Sequence, residues 1–248
     1  MKRKTAAAST IQRPKLGSWP RRSTRTVEKA TIHEQIYGEL RTAIMCGTFA
    51  PGEIVTIRNL ATSFGVSPMP VRDALGRLVA ERALEMPNSR TFRLPRMTWQ
   101  EYIELCELRA LIEGYALERA HNTSPATDLD ESERLNELYA KSVNQGNYAD
   151  ASVRGLRFMF SLYSGGSADA IVMPHIEKLW LRSGPLLPLR HHLMFALPGG
   201  KEKQIDLHRA VIAALRANKV SAAVELFRSD LKDNYRLYLA EKDFRDSA

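Results

Sequence analysis

Two short amphipathic segments joined at Gly65-Val66-Ser67 constrain the fold of this chain more than any other feature. Thr56 stands where it can cap the first segment, and the glycine of the turn stands where that helix must end. Ser67 is placed to cap the second segment, with Pro68 at the first helical position, where a missing N–H costs nothing. The sequence therefore predicts two short helices separated by a tight turn.

The second of these helices has one apolar side and one open side. Its apolar positions recur at helical spacing, at Val71, Ala74, Leu75 and Leu78. Met69 and Arg72 fall on other faces, so the N-terminal half of the helix is free to meet a ligand. This layout is typical of a helix-turn-helix, whose second helix enters the DNA major groove. The alternative is a group of small helices that only pack against one another.

Flanking segments fit a DNA-binding unit over residues 31–96. Isoleucine or leucine recurs every four residues from Ile32 to Ile44, which predicts an amphipathic helix ending near Gly47. Residues 84–86 and 91–94, separated by Pro87-Asn88-Ser89, read as a small hairpin or wing. Such a wing would place Arg90 and Arg93 near a phosphate backbone.

The positive charge of the chain is concentrated at its N-terminus. The chain has 248 residues and 44% hydrophobic residues, an ordinary globular composition. Its net charge of +8 divides into +8 for residues 1–30, +2 for residues 31–96 and −2 for residues 97–248. Residues 1–30 interleave basic groups with Ser, Thr, Pro and Gly, which predicts a disordered basic arm attractive to polyanions. A solvated tail without a partner is the alternative.

Residues 97–248 are expected to form a helical domain. Thr98 and Glu101 form a capping box ahead of a helix that ends before Asn122. Further helical segments are expected around Leu129–Val143, Tyr148–Tyr163, Ala170–Leu181, Gln204–Arg216 and Ala222–Glu241. No strand pattern occurs in this part. A helical bundle of this size buries its own core and can enclose a small ligand cavity between helices.

Several classes of protein are disfavoured. There is no glycine-rich phosphate loop, no Gly-x-Ser-x-Gly motif, no His-Glu-x-x-His motif and no pair of histidines spaced three or four apart, so an enzyme is not expected. No apolar run is long enough to span a membrane and the N-terminus has no signal-peptide core, which favours a cytoplasmic protein. Cys46 and Cys106 lie in apolar stretches and are expected to be buried thiols.

These residues resemble a known family. The stretch Phe64-Gly65-Val66-Ser67…Pro70-Val71-Arg72-Asp73-Ala74-Leu75 is similar to the winged helix-turn-helix of GntR-type transcriptional regulators. Glu107-Leu108-Arg109…Glu113 resembles the start of the all-helical FCD domain of the FadR-like subfamily. The resemblance implies a mainly α fold, with a winged helix-turn-helix of three helices and a small β-hairpin over residues 31–96 and an all-helical FCD-type ligand-binding bundle over residues 97–248.

By the same resemblance, Arg58, Ser67 and Arg72 match positions at which the family touches DNA. A guanidinium offers two parallel donors to guanine or phosphate, which fits that role. Pro68 and Met69 depart from the family pattern of a basic residue followed by threonine. The contact missing at Pro68 is expected to change which operator is read, and Met69 is expected to be among the DNA-binding residues. Ser89 and Arg90 replace the usual Arg-Gly of the wing, and Arg90 is expected to compensate by contacting DNA.

The family also implies a divalent metal held by one Asp and three His in many FCD domains. The matching positions here are Gly155, Met159, His208 and Asp230, so at most His208 and Asp230 could serve as metal ligands. Two ligands are too few for a tightly bound transition metal, and no cofactor is expected. Effector recognition is then assigned to His208, Asp230, His192 and above all Arg109, which could meet a carboxylate. A structural ion pair between Arg109 and Glu113 is the alternative.

The sequence therefore predicts a homodimeric transcriptional regulator that binds a palindromic double-stranded operator and responds to a small organic effector, with a carboxylate favoured. A DNA-binding protein whose helical domain only dimerises is the alternative, and an enzyme with an unrecognised site is the third hypothesis.

Overall fold

The computed structural model describes residues 12–16, 31–88, 91–123, 129–163 and 169–238. The N-terminal unit contains α1 (Ile32–Met45), β1 (Ile54–Val55), α2 (Ile57–Phe64), α3 (Pro68–Ala80), β2 (Glu85–Asn88) and β3 (Thr91–Arg93). The second unit contains α4 (Trp99–Thr123), α5 (Leu129–Asn144), α6 (Tyr148–Tyr163), α7 (Asp169–Ser183), a 3-10 turn (Gly184–Leu186), α8 (Leu187–Ala196), α9 (Gly200–Arg216) and α10 (Val220–Tyr238). The predicted fold, mainly α with a winged helix-turn-helix followed by a helical bundle, is confirmed.

The helix-turn-helix forms where its capping and turn residues predict. The Thr56 hydroxyl accepts a hydrogen bond from the Asn59 N–H at 3.2 Å, and Gly65 ends α2 in the left-handed conformation with φ of 67°. Pro68 is the first residue of α3, where no N–H is needed. Ser67 occupies the N-cap position, but its side chain makes no capping hydrogen bond, so the expected cap is wrong in that detail.

The wing is a three-stranded antiparallel sheet with the order β1-β3-β2. The predicted hairpin is confirmed in β2 and β3, whereas β1, only two residues long, was not predicted. Arg93 pairs with Glu85 on the neighbouring strand at 2.6 Å, so its guanidinium is engaged within the wing rather than held ready for phosphate. Ser89 and Arg90 lie outside the described residues.

Each helical segment predicted for the second unit corresponds to a helix, although α4 continues to Thr123 and so past its expected end before Asn122. Residues 239–241 of the last predicted segment lie outside the described residues, and α8 with the 3-10 turn before it was missed. Thr98 and Glu101 form the predicted capping box at the start of α4. The proline-rich stretch that reads as a loop carries Pro185 and Pro188, and each lies within the first two positions of its helical element. Proline at the start of a helix removes no hydrogen bond, so these prolines begin helices instead of preventing them.

The two units pack directly against each other through glycines. Gly184 lies against the backbone of Ile44 and Met45, and a Cβ at this position would overlap those atoms. Gly47, at φ of 76°, lies against the ring of Pro188. Arg41 of α1 also donates to Glu177 of α7 at 2.8 Å. The N-terminal unit is therefore seated on α7 and on the 3-10 turn that follows it.

A short part of the N-terminal arm is seated at this junction. Arg13 donates to the carbonyl oxygens of Gly47 and Phe49 at 3.2 and 3.3 Å and to that of Pro185 at 3.3 Å, which joins the two units. Pro14 is buried. The expectation of disorder throughout residues 1–30 is therefore wrong for residues 12–16, because carbonyl groups at the junction offer partners to a guanidinium. Residues 1–11 and 17–30 lie outside the described residues.

Cys46 and Cys106 are free and buried, as predicted. Among the helices of the described residues, none combines the length and the apolar character that a bilayer crossing requires.

Candidate functional site: an open helix face and an interhelical cavity

The first candidate site is the open face of α3. Its apolar stripe, which includes Val71, Leu75 and Leu78, is buried, as predicted. Arg72 and Met69 are exposed, and so is Arg58 near the start of α2. Within the part of the chain that the structure describes, Arg58 and Arg72 have neither a hydrogen bond nor an ion pair. Both guanidinium groups are thus available to an external anion.

Contacts on the other faces of α3 hold the helix in place. Arg77 stacks over the ring of Tyr37, with its Cζ 3.6 Å from the ring centroid, and the Tyr37 hydroxyl donates to Glu81. Asp73 lies 3.1 Å from the Nδ1 atom of His33 on α1. These groups bind α3 to α1, so α3 presents Arg72 from a fixed support.

The second candidate site is a cavity of about 50 Å³ among the helices of the C-terminal unit. This volume holds on the order of three waters or a few ligand atoms without rearrangement. All four positions that the family resemblance singles out, Gly155, Met159, His208 and Asp230, line the cavity. Arg109, Tyr139, Trp180, Ser183, Gly184, Arg190, His191, Gln204 and Phe227 are among the other lining residues.

Arg109, one of the lining residues, belongs to a buried ion pair. Glu113 is fully buried and accepts from Arg109 Nε at 2.5 Å and from Arg109 Nη2 at 3.2 Å. The Tyr163 hydroxyl donates to the same carboxylate at 2.6 Å, and Arg109 also donates to Ser183 and stacks on Trp180. Burial lowers the pKa of Arg109, but the charge and hydrogen bonds of Glu113 outweigh it and keep that pKa above its ordinary value. The structural ion pair that the sequence left open is therefore formed.

A second polar group at the cavity is a chain of side chains centred on Arg190 of α8. Its Nη2 atom donates to Gln204 Oε1 at 2.8 Å and to both carboxylate oxygens of Asp230 at 3.2 Å. The amide nitrogen of Gln204 lies 2.9 Å from His208 Nε2, and His208 Nδ1 lies 2.9 Å from Asn136 Oδ1. Because an amide nitrogen only donates, Nε2 is the acceptor and Nδ1 carries the hydrogen.

His208 is held neutral by its surroundings. It is buried and stacks on Phe158, with the ring centroids 4.2 Å apart. Burial, together with the positive charge of Arg190, lowers its pKa to about 3. The imidazole therefore serves as a hydrogen-bonding group in the cavity wall at neutral pH.

Of the two adjacent histidines, His191 and not His192 lines the cavity. Both residues lie on α8, but only His191 is buried and lines the cavity, where its Nδ1 atom is 3.1 Å from the Ser152 hydroxyl. His192 is half-buried and is not among the lining residues. Helical geometry turns adjacent side chains about 100° apart, so α8 directs His191 and not His192 toward the cavity. An effector contact by His192 remains a prediction.

The residues at the family's metal positions do not suit a transition metal. Gly155 has no side-chain donor and Met159 offers only a thioether. The lone pair of His208 Nε2 faces the Gln204 amide, and the Asp230 carboxylate faces Arg190. Across the described residues, no three His, Cys, Asp or Glu side chains come together in a metal-binding arrangement. The guanidinium of Arg190 thus already pairs with the Asp230 carboxylate that a metal ion would have to bind.

Arg190, Gln204 and Asn136 were missed by sequence reasoning. They lie on α8, α9 and α5, and only the packing of these helices brings them together. No sequence motif connects these three residues. The one available signal was the position of Arg190 directly before His191 and His192, which indicated that Arg190 could lie at the edge of a cavity.

Comparisons with known proteins match both units of the chain. Residues 32–93 match the family described as "Bacterial regulatory proteins, gntR family", and residues 104–233 match the FCD domain. The chain is 29% identical over 184 residues to the HTH-type transcriptional regulator McbR of Escherichia coli (strain K12), which covers 74% of this chain and 81% of McbR. It is 24% identical over 219 residues to the gluconate operon transcriptional repressor of Bacillus subtilis (strain 168), covering 84% and 85% of the two chains.

Solved structures show the same fold. Escherichia coli McbR/YncC superposes with a TM-score of 0.76 at 26% identity, covering 85% of this chain and 99% of that one. A GntR-type protein from Rhodococcus sp. RHA1 superposes with a TM-score of 0.66 at 21% identity, covering 86% of this chain and 99% of that one.

Proposed function

The chain belongs to the GntR family of bacterial regulatory proteins and carries an FCD domain, and from this premise we propose that it is a cytoplasmic homodimer that binds a palindromic operator and is modulated by a small organic carboxylate. The observation that carries the DNA-binding part is the open face of α3, where Arg72 is exposed and unpartnered within the described residues. A two-fold dimer presents two such helices to the two halves of a palindrome.

The cavity supports the effector part of the proposal. Two guanidinium groups, Arg109 and Arg190, line one small cavity in which Asp230 is the one acidic lining residue among those described. A carboxylate can pair with a guanidinium through two parallel hydrogen bonds, provided that it replaces part of the existing pairing with Asp230 or Glu113. Since Arg109 is held by the fully buried Glu113, Arg190 with the partly accessible Asp230 is the favoured anchor, and His208 and Gln204 supply further hydrogen bonds.

The cavity lies close to the contact between the helical domain and the DNA-binding unit. Ser183, Gly184 and Leu187 line it, and Gly184 packs on the backbone of α1 at Ile44 and Met45. Seating a ligand that shifts this segment would move α1 and with it α3. This contact favours an effector-sensing domain over the alternative, a helical domain that only dimerises.

Substitution of Arg72 tests the DNA-binding part. An operator is first selected from random duplexes and then titrated at fixed salt. Arg72→Ala is expected to weaken specific binding by about 1–3 kcal/mol, because a bidentate contact to a base edge is lost. Arg209→Ala, which removes the same charge from an exposed position of α9, is the matched control and should retain affinity. Equal operator affinity of the Arg72 variant and the wild type would remove the assignment.

The basic arm is proposed to contact phosphates beside the operator. Each phosphate that the arm neutralises adds about −0.9 to the slope of log affinity against log salt. Deleting residues 1–11, which keeps Arg13 at the domain junction, should flatten this slope and lower affinity for all sequences alike. An unchanged slope would identify these residues as a passive tail.

A thermal-shift screen against organic acids, sugar acids and amino acids tests the effector part, and any hit is then added to the operator titration. Arg190→Met should abolish the shift while leaving DNA binding without effector intact.

Elemental analysis of untagged protein is expected to give far less than one metal per subunit, with no loss of melting temperature on chelation. One equivalent of metal and a melting temperature that falls on chelation would contradict the proposed metal-free cavity.

A further inference from the structure

The exposed face of α3 joins one arginine to an apolar side chain. Met69 is 65% exposed, and Arg72 and Gly76 are exposed three and seven residues further along the same helix. With about 100° per residue, these three positions fall within a band about 60° wide. Asp73 borders this band, but its carboxylate lies 3.1 Å from His33 Nδ1 on α1. The outward strip of α3 therefore consists of Met69, Arg72 and Gly76.

The first turn of α3 offers few hydrogen-bond donors. Pro68 and Pro70 occupy the first and third positions of the helix, so two of its first three residues have no N–H. The free N–H groups at the start of a helix can bind phosphate, and this helix lacks part of them. Met69, between the two prolines, carries methylene groups and a thioether, which donates no hydrogen bond. The first turn therefore presents mainly apolar surface.

Met69 and Arg72 are spaced to meet neighbouring base pairs. Three residues span about 4.5 Å along a helix, close to the rise of about 3.4 Å for one base-pair step. Arg72, which has no partner within the described residues, can pair with a guanine edge in the major groove. Met69 then lies over an adjacent base pair. In the major groove, the apolar feature that marks a base pair is the 5-methyl group of thymine.

Gly76 leaves room for a close approach of the helix to DNA. A Cβ at this position would meet no atom within 4 Å, so no neighbouring side chain of the described residues stands above the backbone there. Glycine is the residue that lets a backbone come close to a ligand. Met69 and Arg72 are thus the two side chains that project from the strip. A methionine side chain is flexible and polarisable, so it can adapt to a methyl group.

We propose that Met69 selects a thymine in each half of the operator, at the base pair next to the guanine that Arg72 contacts. This inference rests on the DNA-binding part of the proposed function and adds the base that the apolar turn reads. Burial of one methyl group against Met69 corresponds to about a fourfold gain in affinity. Because a dimer presents α3 to both half-sites, the gain over the whole operator is about fifteenfold.

Deoxyuridine substitution in the operator tests this contact from the DNA side. Deoxyuridine lacks the methyl group of thymidine and keeps all its hydrogen-bonding atoms. The operator is selected from random duplexes with the full chain, and the guanine is the base at which Arg72→Ala loses specificity. Deoxyuridine at the adjacent thymine should lower wild-type affinity about fourfold in one half-site and about fifteenfold in both. Deoxyuridine at thymines outside the half-sites is the positional control and should leave affinity unchanged.

Variants of Met69 test the same contact from the protein side. Met69→Ala should bind the thymine and deoxyuridine operators with equal affinity, whereas Met69→Leu keeps an apolar side chain and should still prefer thymine. Leu197→Ala, at an exposed leucine between α8 and α9, is the matched control and should discriminate as the wild type does. An effect of the methyl group on DNA stiffness would remain in Met69→Ala, so the difference between the two proteins isolates the contact.

Three results would overturn the role of Met69 and leave operator binding standing. They are a selected operator without thymine beside the guanine, equal wild-type affinity for both operators, and undiminished discrimination in Met69→Ala. Because Met69 is exposed, its variants should keep the wild-type melting temperature, which shows that a loss of discrimination is not a loss of fold. A selection that yields no operator would instead contradict the DNA-binding part of the proposed function.

Discussion

The open face of α3 and the wall of the helical cavity use the same side chain in opposite ways. Arg72 stands in solvent and has no partner within the described residues, whereas Arg109 is buried with Glu113, Ser183 and Trp180 around it. An exposed arginine remains hydrated, so it needs no counter-charge within the protein and can pair directly with a polyanion. A buried arginine must be neutralised before any ligand comes, so a ligand binds there by exchanging partners.

This difference predicts where each region is fragile. Removing a side chain from the face of α3 changes DNA binding and leaves the fold intact, because little is packed on it. Removing one member of a buried pair leaves an uncompensated charge in the core. The two regions should therefore respond to substitution through different measurements, operator affinity for one and unfolding free energy for the other.

The largest effect is expected from Glu113→Ala. Glu113 is fully buried and Arg109 nearly so, and truncating the carboxylate strands the guanidinium and the Tyr163 hydroxyl. The loss should be about 3–5 kcal/mol of unfolding free energy, measured by urea denaturation. Glu118→Ala, one exposed carboxylate further along α4, is the control and should change stability little.

A double variant separates charge from packing at this pair. Replacing both partners with apolar groups, as Arg109→Met/Glu113→Leu, removes the stranded charge and should recover most of the stability lost in Glu113→Ala. If the double variant is as unstable as the single one, the specific geometry of the pair stabilises the core. In that case, buried charge is not the reason why substitutions in the core and on the face of α3 differ in their effect on stability.

A smaller effect is expected from pH, again only in the cavity. The pKa of His208 is lowered to about 3 by burial and by Arg190, whereas an unfolded histidine titrates near 6.5. The unfolded state therefore binds the proton first, and the stability held above pH 6.5 is lost as the pH falls toward 3. The slope contributed by this group is up to about 1.4 kcal/mol per pH unit.

His208→Gln should flatten the pH dependence of unfolding free energy between pH 6 and pH 4 by that slope. Burial also holds the pKa of His191 well below its ordinary value, so part of the wild-type pH dependence should remain in the variant. His175→Gln, at an exposed position of α7, is the matched control and should retain the full slope. Identical slopes for the wild type and His208→Gln would show that His208 is not the buried neutral group described.

The two regions also differ in how far the sequence predicts them. The helix-turn-helix could be located because local signals fix it: Thr56, Gly65 and Pro68 each act within one turn of their own position. The presence of the Arg109–Glu113 pair could be foreseen as an alternative because the two residues are four apart on one helix. The link between Arg190 and Asp230 could not be foreseen, since the two residues are forty positions apart and the whole of α9 lies between them.

The proline-rich stretch before His191 shows the same limit. Proline ends a helix in its interior but is accepted at its first positions, so Pro185 and Pro188 alone fit either a loop or a helix start. The packing of Gly184 on α1 and of Leu186 in the core decides for helix starts. Without α8 the side chains of His191 and His192 have no defined directions, so the sequence alone could not decide which of them faces the cavity. Long-range packing thus determined the site residues that local patterns left open.

The smallest expected effect comes from one glycine in each region. Gly76 lies on the exposed side of α3 and a Cβ there would meet no atom within 4 Å, whereas a Cβ at Gly114 of α4 would lie 3.1 Å from Arg228 Nε and 3.3 Å from Val224 Cγ1. Alanine in an open helix interior is better than glycine by about 0.5–1 kcal/mol, so Gly76→Ala should raise the unfolding free energy by that amount. Gly114→Ala should gain nothing, because α10 must give way to make room. Equal gains at both positions would mean that α4 packs no more tightly than the free face of α3, and a loss at Gly76 would mean that this face is already covered within the chain.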